Sequence, residues 1–293
     1  MKKAALWLAA IVITLAAAYF QRGTGPTKPV YAKFTFEGKE YQTSLPRSWE
    51  TTISPDEMKG DYKLLNKELT QYIFIDSLPD HAEGVFIYKI YPGEWKNDTI
   101  VTFRNGSGFH VTMPALPPAA KIEYSFYIKS SADTSAVLPA SSVRVGEENV
   151  VLRFKGKVPL KALIPHIILM FAAMLLSNFT GLAAFVKSVN INRYALAVLI
   201  TLGAGGLIFG PFVQNYAFGE FWTGWPFGGD LTDNKTLVAF VVWLAAWLLN
   251  TKKNSRKYLY IAAALVMIII FSIPHSTAGS EYDHSKGEIV TGR

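Results

Sequence analysis

The sequence predicts an α+β membrane protein: an antiparallel β-sandwich outside the membrane, joined to a helical transmembrane bundle. Three observations predict it. Five apolar runs punctuate the 293 residues. Between the first and second run the hydrophobic pattern switches to a period of two. Basic residues gather in alternate connecting segments, as membrane topology demands.

The apolar runs are Ala4–Phe20, Leu160–Val186, Ala195–Tyr216, Leu237–Leu249 and Tyr258–Ile273. A helix needs about 20 residues to cross the hydrocarbon layer. The second and third runs have that length, and the first and fifth approach it. The fourth is only 13 residues long. With Lys2 and Lys3 placed inside and sides alternating, the three inside segments hold eight basic and no acidic residues: Lys2, Lys3, Lys187, Arg193, Lys252, Lys253, Arg256 and Lys257. The long segment from Gln21 to Val158 holds 17 basic and 16 acidic residues. The net charge of +7 therefore sets topology, with the N-terminus inside and the C-terminus outside, and argues against a nucleic-acid partner. The orientation is that of a cytoplasmic membrane, with the lipid bilayer as first partner. The expected units are residues 1–20, an N-terminal anchor; 21–158, the outside domain; 159–276, four membrane helices; and 277–293, an outside tail. The first run has a second reading, a secretory signal with a small-residue cleavage site at Ala16–Ala18.

Strands are expected at Lys33–Phe36 and Glu40–Leu45 around a Glu37-Gly38 turn, and at Val85–Tyr91, Thr99–Phe103, Phe109–Met113, Lys121–Ile128 and Asn149–Phe154. Met58–Leu69 reads as one short helix or an irregular insertion. Leu116-Pro-Pro-Ala-Ala-Lys-Ile-Glu-Tyr124 resembles the corner before the penultimate strand of fibronectin type III and immunoglobulin-like modules. The resemblance implies that fold, with the Tyr124 hydroxyl bonded back to the corner backbone. His81 and His110 read as surface residues, and Asp56-Glu57 and Glu147-Glu148 as solvated turns. With no nucleophile–base set, the domain is expected to bind or scaffold, recruiting an envelope protein partner.

The absence of cysteine excludes disulfides, thiolate metal sites, iron–sulfur clusters and covalent c-type haem; any haem would be non-covalent. Candidate site residues converge on the outer face. His166 lies near the start of the second run, and His275 follows the fifth. Between the third and fourth runs, Phe218–Thr236 carries Trp222, Trp225, Asp230, Asp233 and Lys235. Two imidazoles at one depth can ligate haem or a metal, or cap helix ends. The short fourth run implies that its helix starts earlier, with Asp230 or Thr232 as N-cap and Asp233 in the first turn. Lys235 then needs a partner such as Asp230, Asp233 or Glu220. The charges are either interfacial caps or the lining of a polar cavity, with the aromatic residues as belt or lid. Gly203–Gly206 permits close helix approach, and Gly210-Pro211 should kink or end its helix. Trp243 and Trp247 face another helix or a flat ligand.

Phe221-Trp222-Thr-Gly-Trp225-Pro-Phe227 with Asp230 and Asp233 resembles the Trp-rich external loop of haem-handling proteins in cytochrome c assembly, without their Trp-x-Trp-Asp core. Together with Gly210-Pro211, Tyr216–Gly219, Ile273–Ser276 and Gly279–Glu281, it is similar to a family of bacterial inner-membrane proteins of uncharacterised activity, which implies architecture alone. The functional expectation is a membrane protein with an outside binding or scaffolding domain and an aromatic-lined pocket for haem, quinone or lipid. The alternatives are an intramembrane metal-dependent enzyme using His166, His275 and Asp230 or Asp233, and a purely structural envelope protein.

Overall fold

The computed structural model describes residues 2–94, 98–186, 190–250, 256–275 and 279–291. The protein is mixed α+β. The helix α1 (Lys2–Thr24) leads into eleven strands and five further helices among the described residues. Lys187, Lys252, Lys253 and Ser276 of the expected topology lie outside them.

The strand-rich unit opens with the hairpin β1 (Val30–Phe36) and β2 (Lys39–Leu45). Its turn residues Glu37 and Gly38 both have positive φ, 51° and 78°, as a primed two-residue turn requires. Alternate residues are buried along both strands, so the period-two reading holds here. The remaining strands form one curled seven-stranded sheet in the order β3-β9-β8-β5-β6-β7-β4. These are β3 (Ser48–Glu50), β4 (Glu68–Phe74), β5 (Ala82–Tyr91), β6 (Asp98–Asn105), β7 (Gly108–Pro114), β8 (Lys121–Ser130) and β9 (Val143–Lys155). All neighbours are antiparallel except β3 and β9, which run parallel. The β1–β2 hairpin shares the core of this sheet, and the Thr43 hydroxyl donates to the Phe74 carbonyl of β4 at 2.6 Å. Phe86 stacks on Tyr124 at 4.7 Å and on Trp49 at 5.8 Å.

Sequence pattern missed β3 and β4. Three residues carry no period, and β4 begins in the last two residues of the stretch read as helix or insertion. Met58–Leu69 contains two 3₁₀ turns, Glu57–Lys59 and Tyr62–Leu65, and the start of β4. The first turn is held by reciprocal bonds between Ser54 and Glu57, a capping box. The corner expectation is corrected in one respect. The Tyr124 hydroxyl donates to the Pro46 carbonyl at 2.8 Å, between β2 and β3, and not to its own corner. Pro46 brings the acceptor into the core, where a buried phenol needs one.

Among the described residues four helices are long and apolar enough to cross a membrane: Lys3–Thr24, Leu160–Ala183, Ile191–Phe218 and Leu231–Asn250. The fifth run forms a shorter apolar helix, α6 (Tyr258–Ser272). The others are α2 (Leu160–Ala183), α3 (Ile191–Leu202), α4 (Gly210–Phe218) and α5 (Leu231–Asn250). A π-helical turn, Gly203–Phe209, joins α3 to α4. The helix therefore continues through Gly210-Pro211 rather than ending there. Pro211 has no N–H for the regular ladder, and the wider turn absorbs the break. A Cβ on Gly205 would stand 2.8 Å from Leu169 Cβ, and one on Gly206 2.6 Å from Thr236 Cγ2, so both glycines let α2 and α5 approach.

The first run is part of the bundle. Trp7 stacks on Phe179 at 3.9 Å, and the Thr14 hydroxyl accepts from Asn178 at 2.9 Å. Trp243 is buried and stacks on Tyr260 at 6.0 Å, which is helix packing. The tail forms the hairpin β10 (Glu281–Asp283) and β11 (Glu288–Val290). It docks on the strand-rich unit: Tyr282 enters that core, and its N–H donates to the Ala119 carbonyl at 3.2 Å.

Candidate functional site

Five of the seven candidate residues fall into two neighbouring assemblies, a carboxylate knot and a histidine pocket, with Lys235 between them; Trp222 and Trp225 lie in neither.

The knot begins with the N-terminus of α5. Asp230 caps it: its Oδ1 accepts from the Thr232 N–H at 2.7 Å. The early helix start inferred from the short fourth run is thus observed. Asp230 Oδ2 accepts from the Ser280 N–H at 3.1 Å, the Ser280 hydroxyl at 3.2 Å and the Thr223 hydroxyl at 3.3 Å. Asp233 Oδ2 accepts the Thr223 and Gly224 N–H groups at 2.7 and 3.0 Å. Gln214 of α4 donates to the Thr223 hydroxyl at 2.6 Å. Asp230 and Asp233 are both buried, and both spend their oxygens on backbone and hydroxyl donors. That is the arrangement a buried carboxylate needs. These charges act as caps and ties.

Sequence reasoning missed the knot's far side. Arg153 of β9 is buried and donates through Nη2 to the Ser280 carbonyl, while its guanidinium lies 3.9 Å from the Phe218 ring centroid. Burial pulls its pKa down to about 10, with Asp230 and Glu281 opposing. Beside it, Lys121 pairs with Glu281 at 2.8 Å, and the Gly156 N–H donates to the Ala217 carbonyl at 2.9 Å. One cluster therefore ties α4, α5, the tail and the strand-rich unit together. The only available signal was a buried-type Arg in an apolar strand, Val-Val-Leu-Arg153-Phe.

Lys235 is buried and donates to the Ile273 carbonyl at the end of α6, at 2.6 Å. Its direct partner is a carbonyl and none of the three carboxylates expected. An α6 C-terminus leaves carbonyls free, and a cation there meets the negative end of the helix.

His166 and His275 line one cavity of about 80 Å³ between α1, α2 and the end of α6. The lining adds Met170, Met174, Phe171, Phe271, Thr14, Ala17, Ala18 and Gln21. Trp222, Trp225, Asp230 and Asp233 are not among its walls. The aromatic loop faces outward instead: Phe221, Trp225 and Phe227 are 50, 69 and 82% exposed. Trp222 Nε1 donates to the Trp225 carbonyl at 3.1 Å, and Asn234 Oδ1 accepts from the Trp225 N–H at 2.6 Å. Exposed rings on a turn held this firmly do not close over the histidine cavity as a lid would. Among the described residues no three His, Asp or Glu converge on a possible metal position, so the expected carboxylate–histidine set is split. The outer histidines behave as read: His81 bonds Glu37 at 2.8 Å, and His110 rests edge-on against Tyr72 at 4.5 Å.

Comparison with protein-family models, curated proteins and solved structures matched none of them.

Proposed function

We propose that this is an integral protein of a bacterial inner membrane whose strand-rich unit is an extracytoplasmic, immunoglobulin-like binding or scaffolding module. It belongs with the inner-membrane proteins whose loop and tail pattern it resembles. The N-terminus and the α2–α3 and α5–α6 connections face the cytoplasm, and α1 is retained as an anchor. The observation that carries the reading is the buried knot through Thr223, Asp230, Asp233, Ser280 and Arg153. A flexible tether would suffice to keep a domain near a membrane. A domain fixed to its bundle by buried charges holds a bound partner at a defined height and angle.

Haem and quinone are set aside as ligands. Sites for molecules of that size run to several hundred Å³, against about 80 Å³ here. The outward Phe221, Trp225 and Phe227 rings suit the lipid interface, where aromatic side chains concentrate.

The cysteine-free chain makes the topology directly testable. Tyr72→Cys and Asn190→Cys place single thiols at exposed positions in β4 and before α3. In intact spheroplasts a membrane-impermeant maleimide should label the first and reach the second only after permeabilisation. Equal labelling of both, or the reverse order, would overturn the proposed orientation and the extracytoplasmic role with it.

A further inference from the structure

We propose that the cavity between α1, α2 and the end of α6 is a binding site for a soft monovalent cation of the Cu(I) class, ligated by His166, Met170, Met174 and His275. The inference rests on the packing of the helices and not on the scaffolding role.

Four observations carry it. His166, Met170 and Met174 recur every four residues along α2, which puts them on one helix face. All three line the same cavity, and His275 reaches it from beyond α6. The cavity, about 80 Å³, has room for an ion. Its other walls offer little competition. The Thr14 hydroxyl donates to the Ala10 carbonyl at 2.8 Å and accepts from Asn178, while Gln21 Nε2 donates to the Ile273 carbonyl at 3.4 Å. The strongest remaining donor atoms are imidazole nitrogens and thioether sulfurs.

The fourth observation concerns the orientation of His166. Its Nδ1 lies 2.8 Å from the Gly205 carbonyl, inside the π-helical turn. A carbonyl can only accept, so the proton sits on Nδ1 and Nε2 carries the lone pair. A histidine held by its distal N–H to a carbonyl is the usual support of a metal ligand, and π-turns recur at functional sites. The break at Pro211 thus serves the cavity: it places a carbonyl where His166 needs an acceptor.

The donor set selects the ion. Among the described residues no carboxylate lines the cavity, which disfavours Mg²⁺, Ca²⁺ and Mn²⁺, whereas thioethers favour Cu(I). All four ligands are neutral, so no anionic group offsets the ion's charge. That uncompensated charge is greater for Zn²⁺ and weighs against it. The Lys235 ammonium on the Ile273 carbonyl, two residues from His275, adds to the penalty for a divalent ion.

The test uses the full-length protein in detergent under anaerobic conditions. Cu(I) is titrated against a chromophoric Cu(I) chelator, with Ag(I) as a second probe and Zn²⁺ as a control. The expected result is about one Cu(I) per chain, displaced by Ag(I) and not by Zn²⁺. X-ray absorption at the copper edge should show mixed sulfur and nitrogen neighbours. Met170→Leu with Met174→Leu conserves volume and should weaken binding by at least roughly tenfold while the protein stays folded by circular dichroism. His275→Ala should do the same, and His81→Ala should change nothing. No Cu(I) bound, equal retention of Zn²⁺, or full binding by the double Met variant would each overturn the assignment. None of those results bears on the orientation read by maleimide labelling.

Discussion

The carboxylate knot and the histidine pocket share one end of the bundle and handle polar groups in opposite ways. In the knot, charged side chains are buried and their oxygens are taken up: Asp230 and Asp233 together accept from Thr223, Gly224, Thr232 and Ser280. In the pocket the polar groups are neutral, and the His166 nitrogen facing away from Gly205 has no hydrogen-bond partner among the described residues. Buried charge is costly unless satisfied, so the knot's chemistry goes into holding the structure. Neutral imidazole and thioether cost much less to leave open, so a membrane protein can keep them in reserve for a ligand. The charges therefore act as caps, one of the two readings that the sequence leaves open.

The sharpest way to break the comparison is Asp233→Ala. It strands the buried Thr223 and Gly224 N–H groups, at about 1–3 kcal/mol each, or roughly 2–6 kcal/mol in all. Unfolding in mixed micelles should register that loss. Asp233→Asn keeps an accepting oxygen and should lose much less. Cu(I) affinity of the folded fraction should stay within about twofold in both, because separated sites without shared partners behave additively. A large affinity loss in Asp233→Asn would show that the two assemblies are one.

Arg153→Met tests the knot's hold on the strand-rich unit. It keeps apolar contact with Phe218 but deletes the charged bond to the Ser280 carbonyl, worth about 1.5–3 kcal/mol. The tail should become cleavable at Lys286 by trypsin, with the bundle intact. Gly205→Ala works from the other side. Its Cβ would stand 2.8 Å from Leu169 Cβ and 3.1 Å from the Met170 sulfur, an overpacking cost of about 1–3 kcal/mol. It should push α2 outward and weaken Cu(I) binding while leaving tail proteolysis unchanged. Loss of tail protection in Gly205→Ala would mean that strain crosses between the two.

Much of this was legible in sequence where a local rule applied. The Glu37-Gly38 hairpin, the apolar runs and the early start of α5 at Asp230 each follow from neighbours within a few residues. The shortage of apolar length in Leu237–Leu249 was informative because a membrane fixes the length a helix must have. What stayed hidden was long-range. β3 pairs parallel with β9, far along the chain, and three residues leave no period to read. Ser280 and Arg153 join the knot only because the tail returns to the sheet. His166 and His275 line one cavity, but the shared depth expected of them does not give azimuth. Depth alone also grouped them with Trp222 and Trp225, which point outward. The Met170 and Met174 spacing was in plain view on α2 and was read only as apolar membrane content.

The smallest expected effect separates the two ends of the tail. Ser280 is held by the knot, whereas His284 sits near Tyr62, with Nδ1 3.4 Å from the hydroxyl. Burial, with Lys63 adding and Asp283 and Glu281 opposing, pushes the His284 pKa below its ordinary value of 6.5. A depressed imidazole pKa means that the undocked tail takes up a proton more readily than the docked one. Docking is therefore at full strength above about pH 6.5 and weakens as pH falls from there toward the docked pKa, where the loss levels off. Trypsin cleavage at Lys286, corrected for the enzyme's own pH profile, should accelerate modestly between about pH 7.5 and pH 5.5. His284→Gln cannot titrate and should flatten the response. The Asp230–Ser280 contact should persist across the same range, visible as unchanged unfolding of the bundle. If acid releases the whole tail and loosens α5 with it, the knot is not the independent tie that its hydrogen bonds imply.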